Sequence, residues 1–249
     1  MMHVHSNPSA VAAAAAGVVD RISAEAQAAR GVFRVGLSGG TTPEKLYSLL
    51  ASPEYRSRLD WTRAIVCFAD ERAVPPDHPD SNYGRARTLL IDPLGIAPER
   101  VHRMIGESPD LEAAALEYET HLREPLDLLI LGIGPDGHTA SIFPGTPLVH
   151  ETVRRVAAVV DSPKPPACRI TVTPRVLGEA REVMMLATGE EKAEAVAAAL
   201  ADAGDPLLIP AALVRERDWY LDRASASRLS PQTNAARRDD GPRSIREKT

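Results

Sequence analysis

Asp136 and His138 stand two residues apart in the turn that follows the apolar run Leu128 to Ile133, within the stretch DLLILGIGPDGHTASIFPG. Histidine changes charge near neutrality, which suits a general base, and a neighbouring carboxylate fixes its tautomer and stabilises the imidazolium that forms. The plainer reading is a turn with incidental polar residues. Asp70 and Arg72 repeat the two-residue spacing after a second apolar run, Ala64 to Ala69. In extended chain such residues face the same way, so both can enter one cleft. Arginine offers a fixed fork of donors for a phosphate, a carboxylate or a developing oxyanion; a surface ion pair is the alternative. In Ser38-Gly39-Gly40-Thr41-Thr42-Pro43, two glycines let backbone amides approach a ligand, and a following helix adds its positive end. That pattern suits a phosphate, although any strand–helix turn can use glycine. Lys164 and Arg169, in SPKPPACRITVTP, are two cations that could complete a phosphate site or remain solvated loop charges.

The elements that would position these residues can be read from hydropathy. A short apolar run closed at once by turn formers is a strand buried on both faces, as in a parallel sheet. Loops at the carboxyl edge of such a sheet are where open α/β folds bind ligands. Strands are expected over Val32–Leu37, Ala64–Ala69, Leu126–Ile133, Val156–Val160, Arg169–Thr173, Val183–Ala187 and Trp219–Leu221. Helices are expected over Ser9–Arg30, from Pro43 to about Leu50, Ser81–Leu90, Leu111–Arg123 and Glu190–Ala203. The alternation gives an α/β fold with a largely parallel central sheet and helices on both faces. Residues 1–223 are expected to form a single catalytic domain, and the polar stretch 224–249 a disordered tail.

Composition narrows the functional classes. The 249 residues carry a formal charge of −5, 29 basic against 34 acidic, so there is no global basic field for nucleic acid. Cys67 and Cys168 are far apart and share no metal-binding spacing. No apolar stretch approaches the roughly 18 residues of a membrane span. The run Ala12 to Ala16 has no Lys or Arg before it and is followed by Asp20 and Arg21, unlike a signal peptide. The expectation is a cytoplasmic protein, a monomer or weak homo-oligomer, with no metal, no cofactor, no nucleic acid and no membrane partner.

GLSGGTTPEKLY, CFADERAVPPDHPDSNYGRARTLL, LDLLILGIGPDGHTASIFPG and the SPKPPACRIT segment occur in that order, and together they resemble the 6-phosphogluconolactonase family. The resemblance runs from about Phe33 to Leu221. It implies a fold similar to glucosamine-6-phosphate deaminase and ribose-5-phosphate isomerase, and metal-free hydrolysis of 6-phosphogluconolactone, a phosphorylated sugar lactone of the pentose phosphate pathway. It implies His138 as the catalytic histidine, with Asp70, Arg72 and Asp136 in the same site. Ser38, Gly39, Gly40, Thr41, Lys164 and Arg169 fall on substrate-contacting positions. Two rivals share the fold. In the deaminases the histidine resembles the start of a His-x-x-x-x-Glu pattern, whereas the fifth residue after His138 is Phe143. A sugar-phosphate sensor would carry a DNA-binding segment, and the residues before Phe33 offer one alanine-rich helix.

Overall fold

In the computed structural model, which describes residues 1–230, the apolar runs become strands of two sheets. The strands are β1 (Met2–His5), β2 (Phe33–Leu37), β3 (Ala64–Phe68), β4 (Asp70–Arg72), β5 (Leu128–Gly132), β6 (Val156–Val159), β7 (Arg169–Val172), β8 (Glu182–Ala187) and β9 (Asp218–Asp222). The helices are α1 (Pro8–Arg30), α2 (Thr41–Leu50), α3 (Asn82–Ala86), the short α4 (Asp92–Leu94), α5 (Leu111–Tyr118), α6 (Pro174–Glu179) and α7 (Ala193–Leu200). Six strands pair in the order β1-β9-β8-β5-β2-β3, each with its neighbour in parallel. The period-two alternation of β5 shows why both faces are covered. Leu128 and Ile130 pack with Val19, Leu46 and Leu50 of α1 and α2, while Leu129 and Leu131 pack with Ala115, Tyr118 and Val196 on the other side. Each of these side chains is fully buried, a gain of about 1.5–3 kcal/mol apiece.

Local signals set the boundaries of the helices. Asn7 caps α1 by accepting from the Ala10 amide, and Gly31 ends it in the left-handed region at φ 76°. The expected start of α2 at Pro43 is corrected to Thr41. Gly40, at φ 102°, turns the chain two residues earlier, and Pro43 stays in the first turn, where its missing N–H costs nothing. Ser81 caps α3 rather than belonging to it, and a π-turn over Arg87–Ile91 continues the chain. The helix expected over Glu190–Ala203 begins with a 3₁₀ turn, Glu190–Lys192, and ends at Leu200.

Three further differences bear on the site. First, β6 and β7 lie outside the parallel sheet, in a three-stranded antiparallel sheet of order β4-β7-β6. Second, β1 was not expected, because MHVH is short and half polar; it forms an edge strand beside β9. Third, the folded unit does not stop at residue 223. Ala226 and Leu229 are buried in the core, and Ser225 bonds the Ala187 carbonyl at 2.8 Å, so the expected boundary falls short. Residues 231–249 of the expected tail lie outside the described residues. At the amino edge of the sheet, buried Asp127 accepts from Arg30 at 2.5 Å and from the Arg34 amide at 2.8 Å, with Arg181 at 3.4 Å.

Candidate active site

The carboxyl edge of the parallel sheet holds a cleft lined by Ser38, Gly39, Gly40, Thr42, Asp70, Arg72, His138, Arg169 and Lys192, among others. His138 arrives there on the turn after β5. The Gly134 amide bonds the His138 carbonyl at 2.9 Å, folding the turn back on itself. A Cβ on Gly134 would lie 2.1 Å from the His138 ring, so only glycine lets the imidazole occupy this place. Gly137 adopts φ 84°, and Ala140, just beyond, is held at φ 48°, an unusual conformation for a residue with a side chain. His138 Nδ1 and Asp136 Oδ1 are 2.5 Å apart. The carboxylate can only accept, so Nδ1 is the donor, which in the neutral ring leaves the lone pair on Nε2. The Phe143 ring packs against the imidazole with centroids 4.8 Å apart.

Lys164 joins this pair rather than the glycine loop. Its Nζ lies 2.9 Å from Asp136 Oδ1 and 3.5 Å from His138 Nδ1. Burial pushes the Asp136 carboxyl up, but the bonds from His138 and Lys164 outweigh it and hold the group well below the usual carboxylate range.

Asp70 and Arg72 face the cleft from β4, as their spacing predicts. Both Asp70 oxygens are engaged: Asn82 Nδ2 donates to Oδ1 at 3.0 Å and Ser141 Oγ to Oδ2 at 2.7 Å. Arg72 stands directly opposite Arg169 in the antiparallel β4–β7 pair. Like charges across a ladder destabilise it, which an anion between them would relieve. Burial, with Arg72 nearby, lowers the Arg169 guanidinium, and Asp70 opposes this. Arg169 spends Nε and Nη2 on the carbonyls of Lys164, Pro165 and Pro166, leaving Nη1 with a 3.5 Å contact to Ser141. Arg72 donates from Nη1 to Asp80, and its buried Nε has no hydrogen-bond partner among the described residues.

Two neighbours escaped the sequence reading. Glu71, 2% exposed, accepts from the amides of Arg72, Asn82 and Tyr83 and from Ser81 Oγ. It thereby closes the loop between β4 and α3. Burial pushes its carboxyl up, and those four bonds only partly offset that. Asn82, which those bonds anchor, also packs its amide oxygen where a Cβ on Gly39 would fall, at 1.9 Å.

At the glycine loop the arrangement is different again. The Ser38 hydroxyl bonds the Ile130 carbonyl at 2.7 Å, and Tyr47 brackets the Ser38 backbone, so that hydroxyl is committed to the fold. Thr41 is exposed and turns away from the cleft, towards a groove shared with Ser9 and Leu89; Thr42 lines the cleft instead. The cation here is Lys192, which was not foreseen. Its Nζ reaches Thr42 Oγ1 at 3.3 Å, and the Thr42 and Thr188 hydroxyls meet at 2.9 Å. Burial lowers the Lys192 ammonium, with Glu191 and Asp222 opposing. β8 is followed by Thr188-Gly189 and a helical turn, as β2 is followed by glycines and α2, but Gly-Glu-Glu-Lys itself carries no sign of burial. Among the described residues, no group of three or more His, Cys, Asp and Glu is placed to share a metal ion, and no helix is long and apolar enough to cross a membrane.

Comparison with known proteins places the sequence and the fold among relatives. Residues 6–222 match the family described as glucosamine-6-phosphate isomerases/6-phosphogluconolactonase. The 6-phosphogluconolactonase of Streptomyces coelicolor is 41% identical over 244 residues, 91% of this chain and 93% of that protein. The structure of 6-phosphogluconolactonase from Trypanosoma cruzi superposes with a TM-score of 0.81 at 30% identity, covering 92% of this chain and 96% of that one. A monomeric glucosamine-6-phosphate deaminase gives a TM-score of 0.79 at 22% identity, over 91% and 99% of the two chains, which shows a shared fold.

Proposed function

The chain belongs to the glucosamine-6-phosphate isomerase/6-phosphogluconolactonase family, and from that premise we propose how its cleft hydrolyses 6-phosphogluconolactone to 6-phosphogluconate. The observation that carries the reading is the 2.5 Å contact between Asp136 and His138 Nδ1 beside a cleft lined with cations. A lactone is an activated ester, so it needs an activated water and a place for negative charge rather than a covalent nucleophile. His138 Nε2 takes a proton from water as the water oxygen attacks the ring carbonyl carbon. The C–O bond to the ring oxygen then breaks, and the imidazolium returns the proton to that oxygen. Asp136 keeps the proton on Nδ1 and stabilises the imidazolium; Lys164 holds Asp136 in place.

Arg72, which lines the cleft, supports the oxyanion, a contribution worth roughly 10²–10³ in rate per donor. The phosphate lies against the backbone of Gly39, Gly40 and Thr42 at the start of α2, with Lys192 and the Nη1 of Arg169, which is held only by its 3.5 Å contact to Ser141, as its cations. Anchoring it there orients the carbonyl. Asp70, held by Asn82 and Ser141, places a negative charge near Arg169. Phe143 stands where a deaminase-type carboxylate would follow the histidine, and its ring covers the imidazole instead. The reading includes a cytoplasmic protein acting as a monomer or weak homo-oligomer on a small molecule, which the charge of −5 and two free cysteines support.

Generating the phosphorylated lactone with glucose-6-phosphate dehydrogenase and following its disappearance tests the activity. Disappearance no faster than the spontaneous rate refutes it.

A further inference from the structure

Asp222 ends β9 and does not line the cleft, and nothing in the mechanism above uses it. Its carboxylate is 3% exposed. It accepts from the Gly189 amide through both oxygens, at 3.2 and 3.3 Å, and from the Ser225 amide at 2.8 Å. The Gly189 carbonyl in turn accepts from the Lys192 amide at 3.3 Å. Gly189 is therefore held through its N–H by Asp222 and through its C=O by the backbone amide of Lys192. Gly189 sits at φ 98°, a conformation that a residue with a side chain adopts only with strain. The Lys192 head group is fixed at its other end by Thr42.

We infer that Asp222 is a positioning residue for substrate phosphate: it fixes the Thr188–Gly189 turn and so aims Lys192 at the glycine loop of α2. The inference rests on the assignment of Lys192 to phosphate made above. Asp222 does not touch the cleft, and it acts through Gly189. A negative group buried beside Lys192 also favours the charged ammonium that phosphate needs. The same carboxylate bonds Ser225, so a purely structural role as the cap of the Asp222–Ser225 turn is the competing account.

The test is steady-state kinetics on 6-phosphogluconolactone and on its unphosphorylated counterpart. Asp222→Asn should raise KM for the phosphorylated lactone by about 5–20-fold, with a much smaller change in kcat and little change on the unphosphorylated lactone. Lys192→Met should raise that KM by about 10–100-fold, and the double variant should be no worse than Lys192→Met alone. Equal losses on both lactones, or fully additive effects, would overturn the inference and leave Asp222 a structural cap. No KM effect in Lys192→Met would instead remove the phosphate assignment beneath it. Should Asp222→Asn fail to fold, Gly189→Ala strains the same turn from inside; it should show the same selective KM rise, and a uniform loss counts against the inference.

Discussion

The two edges of the parallel sheet both carry charged side chains at strand ends, yet they use them in opposite ways. At the amino edge, Asp127 is buried and its oxygens are taken up by Arg30, Arg181 and the Arg34 amide. At the carboxyl edge, His138 Nε2 has no hydrogen-bond partner among the described residues, and Arg72 and Arg169 face each other as like charges across the cleft-lining β4–β7 pair. An unpartnered buried donor does not by itself mark a site, since Arg34 Nε at the amino edge and Arg72 Nε at the carboxyl edge both lack a partner among the described residues. What separates a stabilising cluster from a working one is unfilled capacity that faces a cleft, more than the residue types.

The comparison can be broken by mutation. The largest effect is expected for His138→Asn, which should lower kcat by about 10²–10⁴ with a nearly unchanged melting temperature. Near-normal turnover would remove His138 from the chemistry. Asp127→Ala should do the reverse, destabilising the protein by about 2–3 kcal/mol while the surviving folded enzyme keeps its kcat. Thermal melting and kinetics on one preparation decide it; a large fall in kcat without a change in melting would mean that the edges are not separable. Lys164→Met should lower kcat by about tenfold to the same degree on phosphorylated and unphosphorylated lactones, since its partner is Asp136. A loss confined to the phosphorylated lactone would return Lys164 to the phosphate.

The smallest effect concerns acid. The Asp136 carboxyl is held below its ordinary value, so the stability it lends is fully present above the unfolded carboxylate range and fades as pH falls through the folded value. The stability gap between wild type and Asp136→Asn should therefore be widest near neutrality and shrink in acid. A gap that widens on acidification would mean the sign is wrong. The side chain is about one third exposed, so solvent screening keeps the gap modest.

How much of this was legible before the fold was known depends on burial. The inner strands announce themselves because both faces are apolar, as Leu128 to Ile133 shows, and the catalytic turn could be placed from that alone. β1 is an edge strand with histidines on it, and β4 is three charged residues whose strand character comes from pairing with β7. Neither has a hydropathy signal to read. Lys192 was hidden in Gly-Glu-Glu-Lys, which looks like a solvated helix start; its burial comes from packing beside Thr42, a residue 150 positions away. Lys164 was legible as a cation near the site, but its choice between phosphate and Asp136 is a matter of distance, which spacing does not encode. Leu229 was one apolar residue in a polar stretch, and its burial against the core is a tertiary fact.

The pairing of β1 with β9 also bears on how the chain is assembled as it is made. Met2 lies beside Trp219, so the first strand of the sheet in chain order must wait for the last. Until then β8 and β1 each present an unsatisfied row of amides and carbonyls, and pairing over so long a separation is the slow kind. The strands β2, β3, β5 and β8 can settle earlier, and with them the turn that carries His138. In pulse-labelled refolding, the amides of β1 should be among the last in the sheet to gain protection from exchange.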